Sequence, residues 1–83
     1  MMVNFIQEMH LRRLLEGQRF RVKNSAWVSA KAQLVGSAVA IDFHERGGRR
    51  VTIELPSSFD PADVNHRAWL LYNVEQALAE NLN

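Results

Sequence analysis

Residues 38–55, AVAIDFHERGGRRVTIEL, alternate apolar and polar side chains on both sides of a glycine pair. Val39, Ile41 and Phe43 share one side of the first half; Val51, Ile53 and Leu55 share one side of the second. A period of two marks a strand with one buried face, so the stretch predicts an antiparallel hairpin. Cross-strand partners must lie on the same face, which restricts the pairing to odd residues with odd. A two-residue Gly47-Gly48 loop sets Phe43 against Thr52 and breaks that rule. A three-residue loop, Arg46-Gly47-Gly48, pairs Glu45 with Arg49, Phe43 with Val51, Ile41 with Ile53 and Val39 with Leu55. Such loops carry a residue in the left-handed region, where glycine costs least, and Gly48 suits that place.

The segment before it extends the sheet. In AWVSAKAQLV, residues 26–35, Val28, Ala30, Ala32 and Leu34 alternate with Trp27, Ser29, Lys31 and Gln33. A two-residue Gly36-Ser37 turn, with glycine first, pairs Leu34 with Val39, Ala32 with Ile41 and Ala30 with Phe43. On the other face it sets Lys31 against Asp42 and Trp27 against Arg46. Arg19 to Lys23, RFRVK, alternates as well and is a candidate fourth edge strand.

Helices are expected at both ends. Pro56 cannot donate to a ladder and closes the sheet. Asp60-Pro61-Ala62-Asp63 has the form of a helix start, with Asp60 as N-cap and Pro61 in the first turn. From there to about Leu82, Val64, Leu71, Val74, Leu78 and Leu82 fall in one stripe. A first helix, about Asn4–Glu16 with Gly17 as its C-cap, carries Phe5, Ile6 and Met9 out of line with Leu11, Leu14 and Leu15. The expected fold is α+β. A three-stranded antiparallel meander, four-stranded if 19–23 joins it, has one face covered by an N-terminal and a C-terminal helix, in the order α-β-β-β-α. That order resembles double-stranded-RNA-binding domains in sequence of elements alone. Where that family opens its second helix with a lysine-rich phosphate-binding motif, this chain has the acidic Asp60-Pro61-Ala62-Asp63.

With 83 residues the chain is expected to form one domain, residues 1–83. It has no cysteine, which excludes disulfides, thiolate metal sites and a cysteine nucleophile. No apolar run reaches the length of a membrane span, and MMVNFIQEMHLRR is too interrupted for a signal peptide, so the expected location is the cytoplasm. Basic residues are mostly arginine, a bias that hints at a GC-rich bacterial or viral genome. Residues 1–50 hold nine Lys/Arg against four acids, whereas residues 51–83 hold only Arg67 against five. Such asymmetry suits an anionic partner for the first half, or halves and subunits that attract each other.

Catalytic and metal chemistry find little support. Ser29, Asp42 and His44 share the outward face, yet an open sheet face offers neither an oxyanion hole nor exclusion of water. Asp42, His44 and Glu54 lack the donor set of a dedicated metal site. No nucleotide, zinc-protease or EF-hand motif occurs. The chain is therefore expected to be no enzyme and to use no cofactor, metal, membrane or small-molecule substrate.

Two surfaces remain. Arg46, Arg49 and Arg50 at the hairpin tip, with Arg19, Arg21, Lys23 and Trp27, form a candidate nucleic-acid surface, since arginine binds phosphate bidentately and tryptophan stacks on bases. Trp69 and Tyr72 are neighbours on the second helix, beside Asn65 and Gln76 and off the apolar stripe. Aromatics with a polar edge favour protein interfaces. Ser29, Ala38 and Ala40 on the outer sheet face are small enough to admit a second layer. The leading expectation is a small regulatory protein, an inhibitor, adaptor or assembly factor, that binds another protein and is a homodimer; the alternative is a nucleic-acid-binding protein.

Overall fold

The computed structural model describes residues 5–22, 26–44 and 48–80. Helix α1 (Phe5–Glu16) is followed by β1 (Phe20–Val22), β2 (Ala26–Val28), β3 (Ala30–Val35), β4 (Ala38–Phe43), β5 (Arg49–Glu54) and helix α2 (Val64–Glu80). The α+β class and the central meander, in the order β3-β4-β5, are as the periodicity predicts. The added feature is a small second sheet, in which Phe20 pairs with Val28 and Arg21 with Trp27. The candidate strand at 19–23 thus becomes β1, and the single strand expected over 26–35 divides at Ser29 into β2 and β3. Trp27 has Arg21 as its cross-strand partner; Arg46, its expected partner, lies outside the described residues, as do Asn4, Lys23, Glu45, Gly47 and Leu82.

The Gly36-Ser37 turn has the expected register, with Ala30 opposite Phe43, Ala32 opposite Ile41 and Leu34 opposite Val39. Gly36 has φ 63°, a conformation open to glycine at little cost. The second hairpin differs from its expected register by two residues. Phe43 pairs with Arg49, Ile41 with Val51 and Val39 with Ile53, while Leu55 donates its N–H to Ser37 O at 3.0 Å. A two-residue slip leaves every side chain on its own face, so alternation cannot distinguish the two registers. In the observed register Asp42 and Arg50 stand directly opposite and join through two guanidinium N–H groups, at 2.6 and 2.9 Å. Arg49 accordingly lies half-buried on the inner face beside Phe43.

Gly48 has φ 62°, and a methyl group there would meet nothing within 4 Å. Gly48→Ala should therefore cost only the left-handed penalty, about 1 kcal/mol, measured by chemical denaturation. A neutral effect would show that the loop readily adopts another backbone path.

Both helices pack on the inner face. Leu11 and Leu15 from α1, Val39, Ile41, Phe43 and Val51 from the sheet, and Leu70, Val74 and Leu78 from α2 form one core with Phe20 and Val28. The rings of Phe20 and Phe43 meet edge to face at 5.3 Å and tie the small sheet to the large one, worth about 0.5–1.5 kcal/mol beyond burial. Ile6 and Met9 are exposed, so the two apolar sides of α1 resolve into one buried and one facing solvent.

The start of α2 is displaced from its expected position. Asp63, not Asp60, is the N-cap: its Oδ1 accepts the N–H groups of Asn65 (2.7 Å) and His66 (3.3 Å). Asp60 instead closes the turn before it, its carboxylate accepting the Ala62 N–H and its carbonyl the Asp63 N–H. Proline in a first helical turn and proline in a type I turn have the same sequence signature. The later start leaves Val64 65% exposed and brings Leu70, rather than Leu71, into the centre of the buried stripe.

The two edges of the large sheet are treated differently. At the β3 edge the Ala32 N–H donates to Glu16 Oε2 at 2.9 Å and the Leu34 N–H to Glu8 Oε2 at 3.2 Å. Two α1 carboxylates thus occupy the places that a neighbouring strand would take.

Candidate functional site

The outward side of α2 is built by the turn that precedes it. Asp63 holds the first helical N–H groups, and these hydrogen bonds, from Asn65 first and then His66, hold its carboxyl below the ordinary aspartate range. His66 Nδ1 accepts the Asp60 N–H at 2.8 Å, and Arg67 donates to the carbonyls of Pro61 and Ala62. The turn is thereby strapped to the first helical turns from both sides. Its consequence is the placing of Phe59, whose ring stands 5.8 Å from that of His66 and 6.2 Å from that of Trp69. Pro56, Ser58, Phe59, His66 and Trp69 line a shallow notch of about 100 Å³, the size of a single apolar side chain.

From that notch an uncharged seam runs along the helix. Asn65, Trp69, Tyr72, Gln76 and Ala79 are all exposed, and their alternating steps of four and three keep them on one side. Tyr72 is 62% exposed and Trp69 39%, and the Trp69 ring meets that of Phe59 at its buried side. Asn65, Trp69, Tyr72 and Gln76 are brought together as the sequence suggests. Phe59 and Ala79 were not legible as members, because Phe59 arrives through the turn and an alanine carries no signal of exposure.

The other candidate interface residues lie elsewhere. Ala38 and Ala40 are on the outer face of β4, but they are only 7% and 2% exposed. Their lateral neighbours Val35, Gln33, Thr52 and Glu54 are exposed and shade them. A second layer would meet those longer chains first. Ser29 is exposed at the break between β2 and β3, where its carbonyl accepts the His44 N–H at 2.9 Å. The third member of that polar trio, Asp42, has its carboxylate engaged by Arg50.

The arginines are dispersed. Arg50 forks onto Asp42, which lowers the aspartate pKa and raises that of the arginine. Arg49 is turned to the inner face, Arg21 lies over the Trp27 ring at 5.8 Å, and Arg19 is exposed. Arg46 and Lys23 lie outside the described residues. Among the described residues no group of three or more His, Cys, Asp or Glu is placed to hold a metal ion, and no helix is long and apolar enough to cross a membrane.

No known protein family, curated protein or solved structure matches this chain.

Proposed function

We propose that this is a small non-enzymatic regulatory protein, an inhibitor, adaptor or assembly factor, that works as a homodimer and binds another protein through the outward face of α2. The observation that carries the reading is the uncharged seam with Trp69 and Tyr72 exposed at its centre. A helix face meant only for water carries charge along its length, whereas interface cores are depleted of charge and enriched in tryptophan and tyrosine. The notch between Phe59 and Trp69 supplies a socket of the kind that anchors a partner's side chain. Nucleic-acid binding has less support, because the described arginines do not converge on one surface: Arg50 lies on the outer sheet face, Arg49 faces inward and Arg21 lies over the Trp27 ring.

The test uses Trp69→Ala/Tyr72→Ala. Tyr72 is 62% exposed and Trp69 39%, so the circular dichroism spectrum should hold while loss of the Trp69–Phe59 contact lowers stability by about 1–2 kcal/mol. A protein captured by the immobilised wild type from its source cells should be lost with the variant. Capture that survives the double substitution would overturn the reading. So would a wild type that binds duplex or single-stranded nucleic acid with a steep salt dependence, the signature of counterion release.

A further inference from the structure

The two edges of the β3-β4-β5 sheet do not match, and the difference points to how two copies meet. The β3 edge is closed by Glu8 and Glu16. Among the described residues none caps the β5 edge in this way. Because Leu55 donates to Ser37 across the β4–β5 ladder, odd residues of β5 direct their backbone groups to β4 and even residues direct theirs outward. The outward set is Arg50, Thr52 and Glu54. Their side chains are exposed, and among the described residues no backbone group bonds to their outward N–H and C=O groups.

Open edges are commonly guarded by charged side chains, a bulge or a proline. Here the side chains along the edge run Arg50, Thr52, Glu54: positive, neutral, negative. That order is its own complement when the strand is turned end for end. We propose that β5 pairs antiparallel with β5 of a second copy, about a twofold axis at Thr52. Arg50 then faces Glu54 of the second copy, Thr52 faces Thr52, and Glu54 faces Arg50. Each opposed pair is of the hydrogen-bonded kind and exchanges both N–H···O bonds, so the outward backbone groups of all three residues are satisfied. The parity matters: an axis on Val51 or Ile53 would oppose groups that already bond to β4.

Three features agree with this occupant. Lys31, Asp42 and Arg50 form one row across the sheet, through the pairs Lys31–Asp42 and Asp42–Arg50. Glu54 of the second copy continues its alternation of sign. Pro56 stands at the next outward position and has no N–H to offer, which limits the ladder to 50–54. The capped β3 edge ends the joined sheet at β3 on both sides, so the assembly closes as a dimer and does not grow into a filament. The twofold axis is perpendicular to the sheet, so both α2 helices stand on one side of it and present their Trp69 faces together. The inference rests on the homodimeric part of the proposed function and is independent of the α2 seam.

Sedimentation of the full chain tests it. Thr52→Pro removes the N–H at the axis, which the monomer does not use, and an edge strand tolerates proline there. The variant should keep its circular dichroism spectrum and sediment as a monomer where the wild type is a dimer. Asp42→Arg/Arg50→Glu, which keeps the pair within the monomer with its signs exchanged, and Glu54→Arg each place like charges opposite across the axis and should weaken self-association by about tenfold or more. Mixed in equal amounts, the two variants are complementary at both charge pairs and should associate again. A dimer that Thr52→Pro leaves intact, or a mixture that associates no better than either variant alone, overturns the β5 edge but leaves the homodimer standing. A wild type that stays monomeric at every concentration overturns both.

Discussion

Leu70→Ala is expected to remove most of the folding free energy of this protein. Leu70 is 0% exposed and lies in the α2 stripe with Val74 and Leu78, both also fully buried. Truncating a leucine at such a site loses its transfer free energy and leaves a cavity, about 3–5 kcal/mol together. A cysteine-free domain of this size has a total stability on the order of 5 kcal/mol. The variant should therefore populate the unfolded state at ambient temperature, with its urea midpoint close to zero. Leu71→Ala is the control. Leu71 packs only partly against the core, so its loss should cost about 1–2 kcal/mol. Equal losses at the two positions would mean that α2 is rotated about its axis, with Leu71 as deep in the core as Leu70.

Glu8→Ala/Glu16→Ala is the second substitution with a large expected effect. Each glutamate accepts a β3 edge N–H, and Glu16 is also met by Arg12 at 3.5 Å. A hydrogen bond to a charged group contributes about 1.5–3 kcal/mol net. The partial exposure of this edge favours the lower end, so the double variant should lose about 2–4 kcal/mol. It should also aggregate, because a stripped edge is a template for further strands. Glu8→Gln/Glu16→Gln keeps an acceptor at each place and should recover solubility with part of the stability. Unchanged stability and solubility in the alanine variant would show that α1 does not guard the edge. Where β5 pairs with β5 of a second copy, uncapping β3 also turns a closed dimer into an open series, and light scattering would show growth beyond two chains.

Much of this was written in the sequence. The alternation of Val39, Ile41 and Phe43 with Val51, Ile53 and Leu55 determined two strands and which face is buried, since period and burial are the same fact in a half-exposed sheet. Gly36-Ser37 determined the first hairpin, because a two-residue loop leaves one register. The clustering of Asn65, Trp69, Tyr72 and Gln76 on one side of α2 followed from helical spacing alone.

The tertiary structure decided what spacing leaves degenerate. The second hairpin has two registers that bury the same side chains, and the one formed is that in which Asp42 stands opposite Arg50. The start of α2 has two aspartates that fit a cap, and the choice of Asp63 turns Leu70 inward and Val64 out. The tie of Glu8 and Glu16 to the Ala32 and Leu34 N–H groups joins residues far apart in the chain. No local pattern encodes it, because any exposed helix carries such glutamates. Which sheet edge is closed and which is open is therefore a property of packing. Local periodicity says how a residue faces its own element; only the assembled core says what that element faces.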